Sequence, residues 1–270
     1  MINSWICMGN ILKNKIVVGA MLVSRNSDLL DISIPEMMRW CDWALILADN
    51  EDDETVEKIL KYQRKYWGRI FYRRSSFPHV IYTAKGDIQD YRRRWRNLDG
   101  HVRDEVFMNL KRILEWKKRG YDKIDILILP DADEVFTDYF GELLEKFDAS
   151  DKLAIKMKPV DVICSMMTIK DRSMSHHVHV LKYRDNYRGW PKVYFAMYKP
   201  LRPGDCMRAT YYSVHLALLN KDVRKFREEN WKRYHATDEP IWFLPKSAIK
   251  LSPDEITQIL KTKPDSLFSD

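Results

Sequence analysis

Cysteine is scarce in this chain and never closely spaced. Cys7, Cys41, Cys164 and Cys206 are the only four among 270 residues, and no two form a Cys-x-x-Cys pair. That spacing excludes a zinc ribbon and a thioredoxin-like redox motif. A chain this long and this poor in cysteine is no disulfide scaffold, so reduced, mostly buried thiols and a cytoplasmic setting are expected. Long apolar runs are missing too: Lys, Arg, Asp or Glu interrupts every apolar stretch before it reaches the roughly 18 to 20 residues of a membrane-spanning helix. The opening segment MINSWICMGNILKNK has no charged start, sustained apolar stretch or small-residue cleavage site, so no secretory signal is expected. Internal repeats and low-complexity tracts are absent. With 45% hydrophobic and 12% aromatic residues the chain has apolar material for a full core, which argues against disorder, collagen and coiled coil.

Acidic residues are absent from one stretch. Lys58 to Gly86 holds eight Lys or Arg and no Asp or Glu, and Arg92, Arg93, Arg94 and Arg96 follow. The formal charge of +7, from 46 Lys+Arg against 39 Asp+Glu, is therefore local. Tyr62, Tyr66, Trp67, Phe71, Tyr72, Tyr91 and Trp95 are interleaved with it. Charge and flat rings together suit an anionic partner that stacks, such as nucleic acid, with Arg73, Arg74 and the four later arginines as contacts. The alternative is a solvated face whose aromatics turn inward.

Elsewhere, strands alternate with helices. The apolar run Ile16 to Val23 ends in Ser24-Arg25-Asn26-Ser27-Asp28 and reads as a buried strand feeding a loop. Trp43 to Ala48 ends in Asp49-Asn50-Glu51-Asp52-Asp53 and opens a helix in which Val56, Ile59 and Leu60 share a face. Ile70 to Tyr72 is a short third strand, and residues 75 to 100 show no clear period. Val106, Leu110, Ile113 and Leu114 make the stripe of an amphipathic helix with Gly120 as its stop. Ile124 to Leu129 then runs into Pro130-Asp131-Ala132-Asp133-Glu134, ahead of a helix carrying Phe140, Leu143, Leu144 and Phe147. Repeated strand-then-helix units predict an α/β protein whose ligands bind beyond the C-terminal strand ends, where both acidic clusters fall.

Beyond Asp148 the pattern is mixed. Strands are expected at Leu153 to Met157, His177 to Tyr183 and Tyr211 to Leu219, with an irregular stretch from Gly189 to Gly204. A charged helix is expected at Asp222 to Tyr234, and a capping box, Ser252 to Glu255, precedes Ile256, Ile259 and Leu260.

Asp131-Ala132-Asp133 carries the most chemistry. Carboxylates two residues apart can project to one side of an extended backbone. Such hard oxygen ligands suit Mg²⁺ or Mn²⁺, which keep positions open for diphosphate oxygens. An acidic cap on the following helix is the alternative.

Three segments, Ile16 to Asn26, Ala48 to Thr55, and Arg103-Asp104-Glu105 leading through a helix into Ile126 to Glu134, resemble in order and spacing the motifs of family-2-like glycosyltransferases of the GT-A fold. The resemblance covers about residues 15 to 147. It implies a mostly parallel central sheet with helices on both faces and a mixed C-terminal half. Residues 1–150 would be the nucleotide-sugar half of one domain, 151–240 the acceptor and metal-completing half, and 241–270 a helical extension. By this resemblance Ser24 and Arg25 lie in the first donor loop, Asp49 faces the nucleobase and Asp52 shapes the nucleotide loop. Arg103 approaches the donor phosphates, a part Lys15 or Arg25 could also play. Asp131 and Asp133 serve the ribose, diphosphate and divalent metal, Mn²⁺ or Mg²⁺. His215 resembles the late histidine that completes the metal site; a hydrogen-bonded core histidine is its other reading, and His176-His177-x-His179 is a competing metal cluster.

The catalytic base is not marked. Gly189 to Ala196 resembles a segment where relatives carry His-Glu, but no Glu stands there, which leaves Asp161 and Asp205 as candidates. The expected reaction is metal-dependent transfer of a sugar from a nucleoside-diphosphate donor to an acceptor hydroxyl, with inversion. The acceptor is a glycan or lipid-linked sugar, a hydroxymethylated DNA base or a protein. A nucleic-acid-binding protein on a degenerate transferase scaffold and a nucleotidyltransferase are the rival readings.

Overall fold

The computed structural model describes residues 12–23, 29–48, 53–75, 103–116, 123–163, 167–169, 177–189, 198–199, 201–218, 249–250 and 261. The first half alternates strand and helix: β1 (Val17–Val23), α1 (Leu30–Trp40), β2 (Trp43–Ala48), α2 (Asp53–Lys65), β3 (Ile70–Arg74), α3 (103–115) and β4 (Ile126–Ile128). The chain continues through β5 (Glu134–Phe136), α4 (Phe140–Asp148), β6 (Ala154–Ile163), β7 (Met167–Ile169), β8 (His177–Lys182), β9 (Arg188–Gly189) and β10 (Tyr198–Lys199). A 3₁₀ turn at Pro203–Asp205 leads into β11 (Cys206–Leu218), and β12 (Ile249–Lys250) comes last. β9 and β10 form a separate two-stranded ribbon.

The expected α/β layout is present. Strands β3, β2, β1 and β4 lie side by side and parallel. β8 joins β4 antiparallel and hands the sheet on to β6, which pairs antiparallel with β7 and parallel with β11. The second half is thus mixed, as its irregular pattern predicts.

Alternation along the parallel strands makes two cores, one on each face of the sheet. Met21, Ala44 and Ile46 pack with Leu30, Ile34 and Met37 of α1, Ile59 of α2 and Leu144 of α4. Val18, Leu45 and Leu47 pack on the other face with Val106, Leu110 and Ile113 of α3. Gly19 lets α1 approach: a Cβ there would lie 2.8 Å from Met37 Sδ and 2.9 Å from Cys41 Sγ.

Helix α1 carries the stripe Leu30, Ile34, Met37 and Met38 at helical spacing, set against two unfavourable local features. Pro35 sits inside it and Leu29 offers no side-chain cap. An interior proline costs about 3 kcal/mol, but Leu30, Ile34 and Met37 are fully buried and contribute roughly 1.5–3 kcal/mol each. Arg39 adds an ion pair to Asp138 at 2.6 Å, and Trp40 packs edge-on against Phe140. Tertiary burial therefore outweighs local propensity. Among the described residues no helix is long and apolar enough to cross a membrane, and Cys41 and Cys206 are free thiols.

Candidate functional site

Parallel pairing brings the C-terminal ends of β1, β2, β3 and β4 to one edge of the sheet. Ser24, Arg25, Asp49 and Asp52, in the loops after β1 and β2, lie outside the described residues. The acidic segment after β4 is described in full. Leaving β4, the chain passes Pro130 and makes a bridge between Asp131 and Leu22 at the end of β1. It then turns through Ala132 and Asp133 into β5. The Glu134 N–H donates to the Asp131 carbonyl at 3.0 Å, and the Asp131 N–H donates to Glu134 Oε2 at 3.2 Å. The Asp-x-Asp tripeptide is thus a tight turn closed from both sides by the residue after it. Asp131 is half-buried and Asp133 buried.

Glu134 carries more than this turn. It is 3% exposed, and Nε2 of His179 on β8 lies 3.0 Å from Oε1 and 2.9 Å from Oε2. Ser213 Oγ on β11 donates to Oε1 at 3.2 Å. His179 and Ser213 are buried as well. A buried carboxylate is tolerable only when its oxygens are satisfied, and here β8, β11 and the turn itself satisfy them. His179 is thereby placed as a partner of Glu134 inside the fold. His176 lies outside the described residues; His177 opens β8.

The sheet brings the backbones of two further candidates to this place. His215 stands opposite Glu134 in the antiparallel β5–β11 ladder, and Asp161 stands beside His215 in the parallel β6–β11 ladder. Asp205 is elsewhere. Its Oδ2 accepts the Arg202 N–H at 2.7 Å in the turn that precedes β11. Eight residues of chain separate it from Ser213, roughly 25 Å at strand rise, so it caps its own turn at the far end of β11. Arg103 is buried in α3, two residues before Glu105, which accepts a 2.7 Å hydrogen bond from Ser75 Oγ just past β3. That bond sets this part of α3 at the same sheet edge as the turn.

The basic run divides. Lys58 and Lys61 of α2 pair with Asp31 of α1, and Tyr62 donates to the same carboxylate at 2.7 Å. The Tyr62 hydrogen bond, ahead of the two lysines, holds Asp31 below the usual carboxylate range although burial opposes this. Arg69 donates to the carbonyls of Cys41 and Asp42 at 2.6 and 2.8 Å. Phe71 packs edge-on against buried Trp43. These residues serve the inward-turned reading. Arg73 and Arg74 do not: with Arg112 and Trp116 of the α3 segment, and with the acidic Glu105 and Glu115, they line a cavity of about 390 Å³ between β3 and α3, and the Arg73 guanidinium lies 5.5 Å from the centre of the Trp116 ring. Arg92, Arg93, Arg94 and Arg96 lie outside the described residues.

Glu134 and Ser213 are the participants that motif reading passes over. The available signal was alternation: Ser213 and His215 share one face of a strand, and Glu134 follows the acidic pair directly.

No family model matches the chain, and no curated protein matches it. Solved structures with a similar fold include Staphylococcus aureus TarS 1–349, at 11% identity over 82% of this chain and 64% of that one, TM-score 0.41. The chain thus spans less than two thirds of TarS 1–349. The mannosyltransferase PcManGT of Pyrobaculum calidifontis, solved with GDP-Man and Mn²⁺, is 8% identical over 96% of this chain and 71% of that one, TM-score 0.44. A 4-diphosphocytidyl-2C-methyl-D-erythritol synthase from Anaerococcus prevotii is 13% identical over 65% and 67%, TM-score 0.33. These are distant likenesses of fold.

Proposed function

We propose that the chain is a glycosyltransferase that moves a sugar from a nucleoside-diphosphate donor to an acceptor hydroxyl with inversion, assisted by a divalent cation. The observation that carries this reading is the Asp131–Asp133 turn, held at the C-terminal edge of a parallel sheet, where open α/β sheets bind their ligands. The motif resemblance over the first half of the chain supports it.

The donor set suits a hard cation. Asp131 and Asp133 offer oxygen ligands on one turn, and among the described residues no group of three or more His, Cys, Asp or Glu side chains is placed to hold a metal. Mg²⁺ and Mn²⁺ are commonly held in this way, by one or two carboxylates with water and substrate phosphate completing the shell. When bound, such an ion would neutralise charge on the departing diphosphate.

In the reaction the acceptor oxygen forms a bond to the anomeric carbon while the bond from that carbon to the diphosphate breaks. The electron pair leaves with the diphosphate, and the hydroxyl proton passes to a carboxylate base. Asp161 is the better candidate for that base, because its backbone lies in register with His215 whereas Asp205 is bonded into its own turn. Ser24, Arg25, Asp49, Asp52 and Arg103 would bind the donor, and His215 would complete the metal site.

Arg73, Arg74 and Arg112, beside Trp116, would contact the phosphates of DNA bearing a hydroxymethylated base, although Glu105 and Glu115 line the same cavity and a glycan acceptor is equally open. Contacts of this kind would weaken steeply with added salt.

The test is incubation with Mn²⁺, a panel of nucleotide sugars, and glycan and hydroxymethylated-DNA acceptors, read by mass spectrometry. A sugar-sized mass increment on an acceptor with release of nucleoside diphosphate is expected, lost in D131A and D133A. Full turnover in both variants would overturn the metal assignment. Released pyrophosphate would identify a nucleotidyltransferase instead. Binding of DNA with no turnover of any donor would favour the binding-protein reading.

A further inference from the structure

We propose that Glu134 is a positioning residue, which fixes the shape of the Asp131–Asp133 turn and ties it to the second half of the sheet, so that the turn is preformed for its cation. The proposal rests on the metal reading above only for its purpose; the clamp itself stands on described contacts.

Three independent elements converge on one carboxylate. The turn contributes the Asp131 N–H on Oε2 at 3.2 Å. β8 contributes His179 Nε2 within 3.0 Å of both oxygens, and β11 contributes Ser213 Oγ on Oε1 at 3.2 Å. Both strands are fixed by ladders: His179 follows Val178, paired to Lys156 of β6, and its own carbonyl accepts the Leu129 N–H at 2.7 Å, next to the turn. Ser213 pairs with Phe136 of β5. The carboxylate therefore cannot shift without moving β8 and β11, and the Asp131 amide it holds cannot shift without opening the turn.

The chemistry requires such a part. Two ligand carboxylates on a two-residue turn repel each other, and the turn would splay in the absence of a cation unless its backbone were held. A clamp on the Asp131 N–H and carbonyl acts on the backbone of the turn. Partners that orient metal ligands in this manner typically change affinity or activity 10- to 100-fold when removed. The ladder position of His215 opposite Glu134 means that the same clamp spaces the turn from the late histidine.

The experiment uses the full chain with Mn²⁺ alone as probe, its binding followed by electron paramagnetic resonance, together with amide hydrogen exchange at Asp131 by NMR. E134Q and S213A are the near-isosteric variants and E134A the severe one, each measured well below its own melting temperature. We expect E134A to weaken Mn²⁺ binding about 10- to 100-fold, E134Q and S213A to weaken it less, and Asp131 amide exchange to accelerate in the same order. Gln keeps one acceptor oxygen, so E134Q should recover part of the loss seen in E134A. If E134A does not fold, E134Q and S213A decide the matter. A merely structural role would lower melting temperatures while leaving Mn²⁺ affinity and Asp131 exchange at wild-type values, and that result overturns the proposal. D133N separates the premise: retained Mn²⁺ binding in D133N, or none in the wild type, sinks the metal reading, whereas the exchange measurement still decides for or against the clamp.

Discussion

The two ends of the parallel strands carry the same kind of residue in different settings. At the N-terminal end Asp125 accepts the Ile16 N–H at 2.6 Å and pairs with Lys123 at 3.0 Å, while Asp42 accepts the Val17 N–H at 2.8 Å. Both carboxylates there complete the backbone of β1 where its ladder begins. At the C-terminal end the backbone is completed by Glu134, from within a turn that it closes itself. Asp131 and Asp133 sit on that turn. An acidic residue at a strand end thus says little by itself; which backbone amides its neighbours leave to be satisfied decides whether it is needed as a structural cap.

The largest expected effect tests the comparison at its C-terminal end. If Asp133 serves the leaving diphosphate, D133A should lower kcat per folded molecule about 10²- to 10³-fold. D125A should lower stability instead. Losing a charge-assisted bond to a partly buried amide costs about 1–3 kcal/mol, which thermal denaturation would register while kcat per folded molecule stays near wild type. Equal kcat losses in both variants would erase the distinction between the two ends. Next in size is G19A, where the added Cβ meets Met37 and Cys41 at under 3 Å; overpacking of this kind costs roughly 1–3 kcal/mol, measurable as a lower denaturant midpoint.

The same particulars explain what the sequence made legible. β1, β2 and α3 were readable because they are buried in the period their patterns state. In α1, which the strand-then-helix reading left unassigned, burial of the Leu30, Ile34, Met37 and Met38 stripe outweighs the interior Pro35. β5 was hidden because three residues between a turn and a helix carry no period, and its existence depends on β11, some eighty residues further on. The Asp-x-Asp tripeptide could be found from its spacing, but the extended backbone expected there is a turn through Ala132 and Asp133. Its clamp could not, since His179 and Ser213 meet Glu134 only through strand order. The basic run could not be divided by composition alone: Arg69 is drawn in by carbonyls at the end of α1, and only pairing geometry separates it from Arg73 and Arg74.

The smaller predictions concern acid. Burial raises the affinity of Asp125 for a proton, but the Ile16 amide, Lys123 and Lys15 outweigh it and hold the carboxyl below its ordinary range. A depressed folded-state pKa contributes stability that is fully present above the unfolded value of about 3.9 and is lost as pH falls through the folded value. Stability of the wild type should therefore fall more steeply than that of D125N below about pH 4, as measured by urea midpoints across that range; parallel curves would show that the ionised form is not what the Ile16 amide selects. Asp31 is depressed in the same direction but faces solvent with Lys61, so that pair is screened. K61A should cost less than about 1 kcal/mol, and that cost should shrink further in high salt. The Asp125 effect should survive the same salt, because its principal partner is a backbone amide covered by the sheet rather than a mobile lysine.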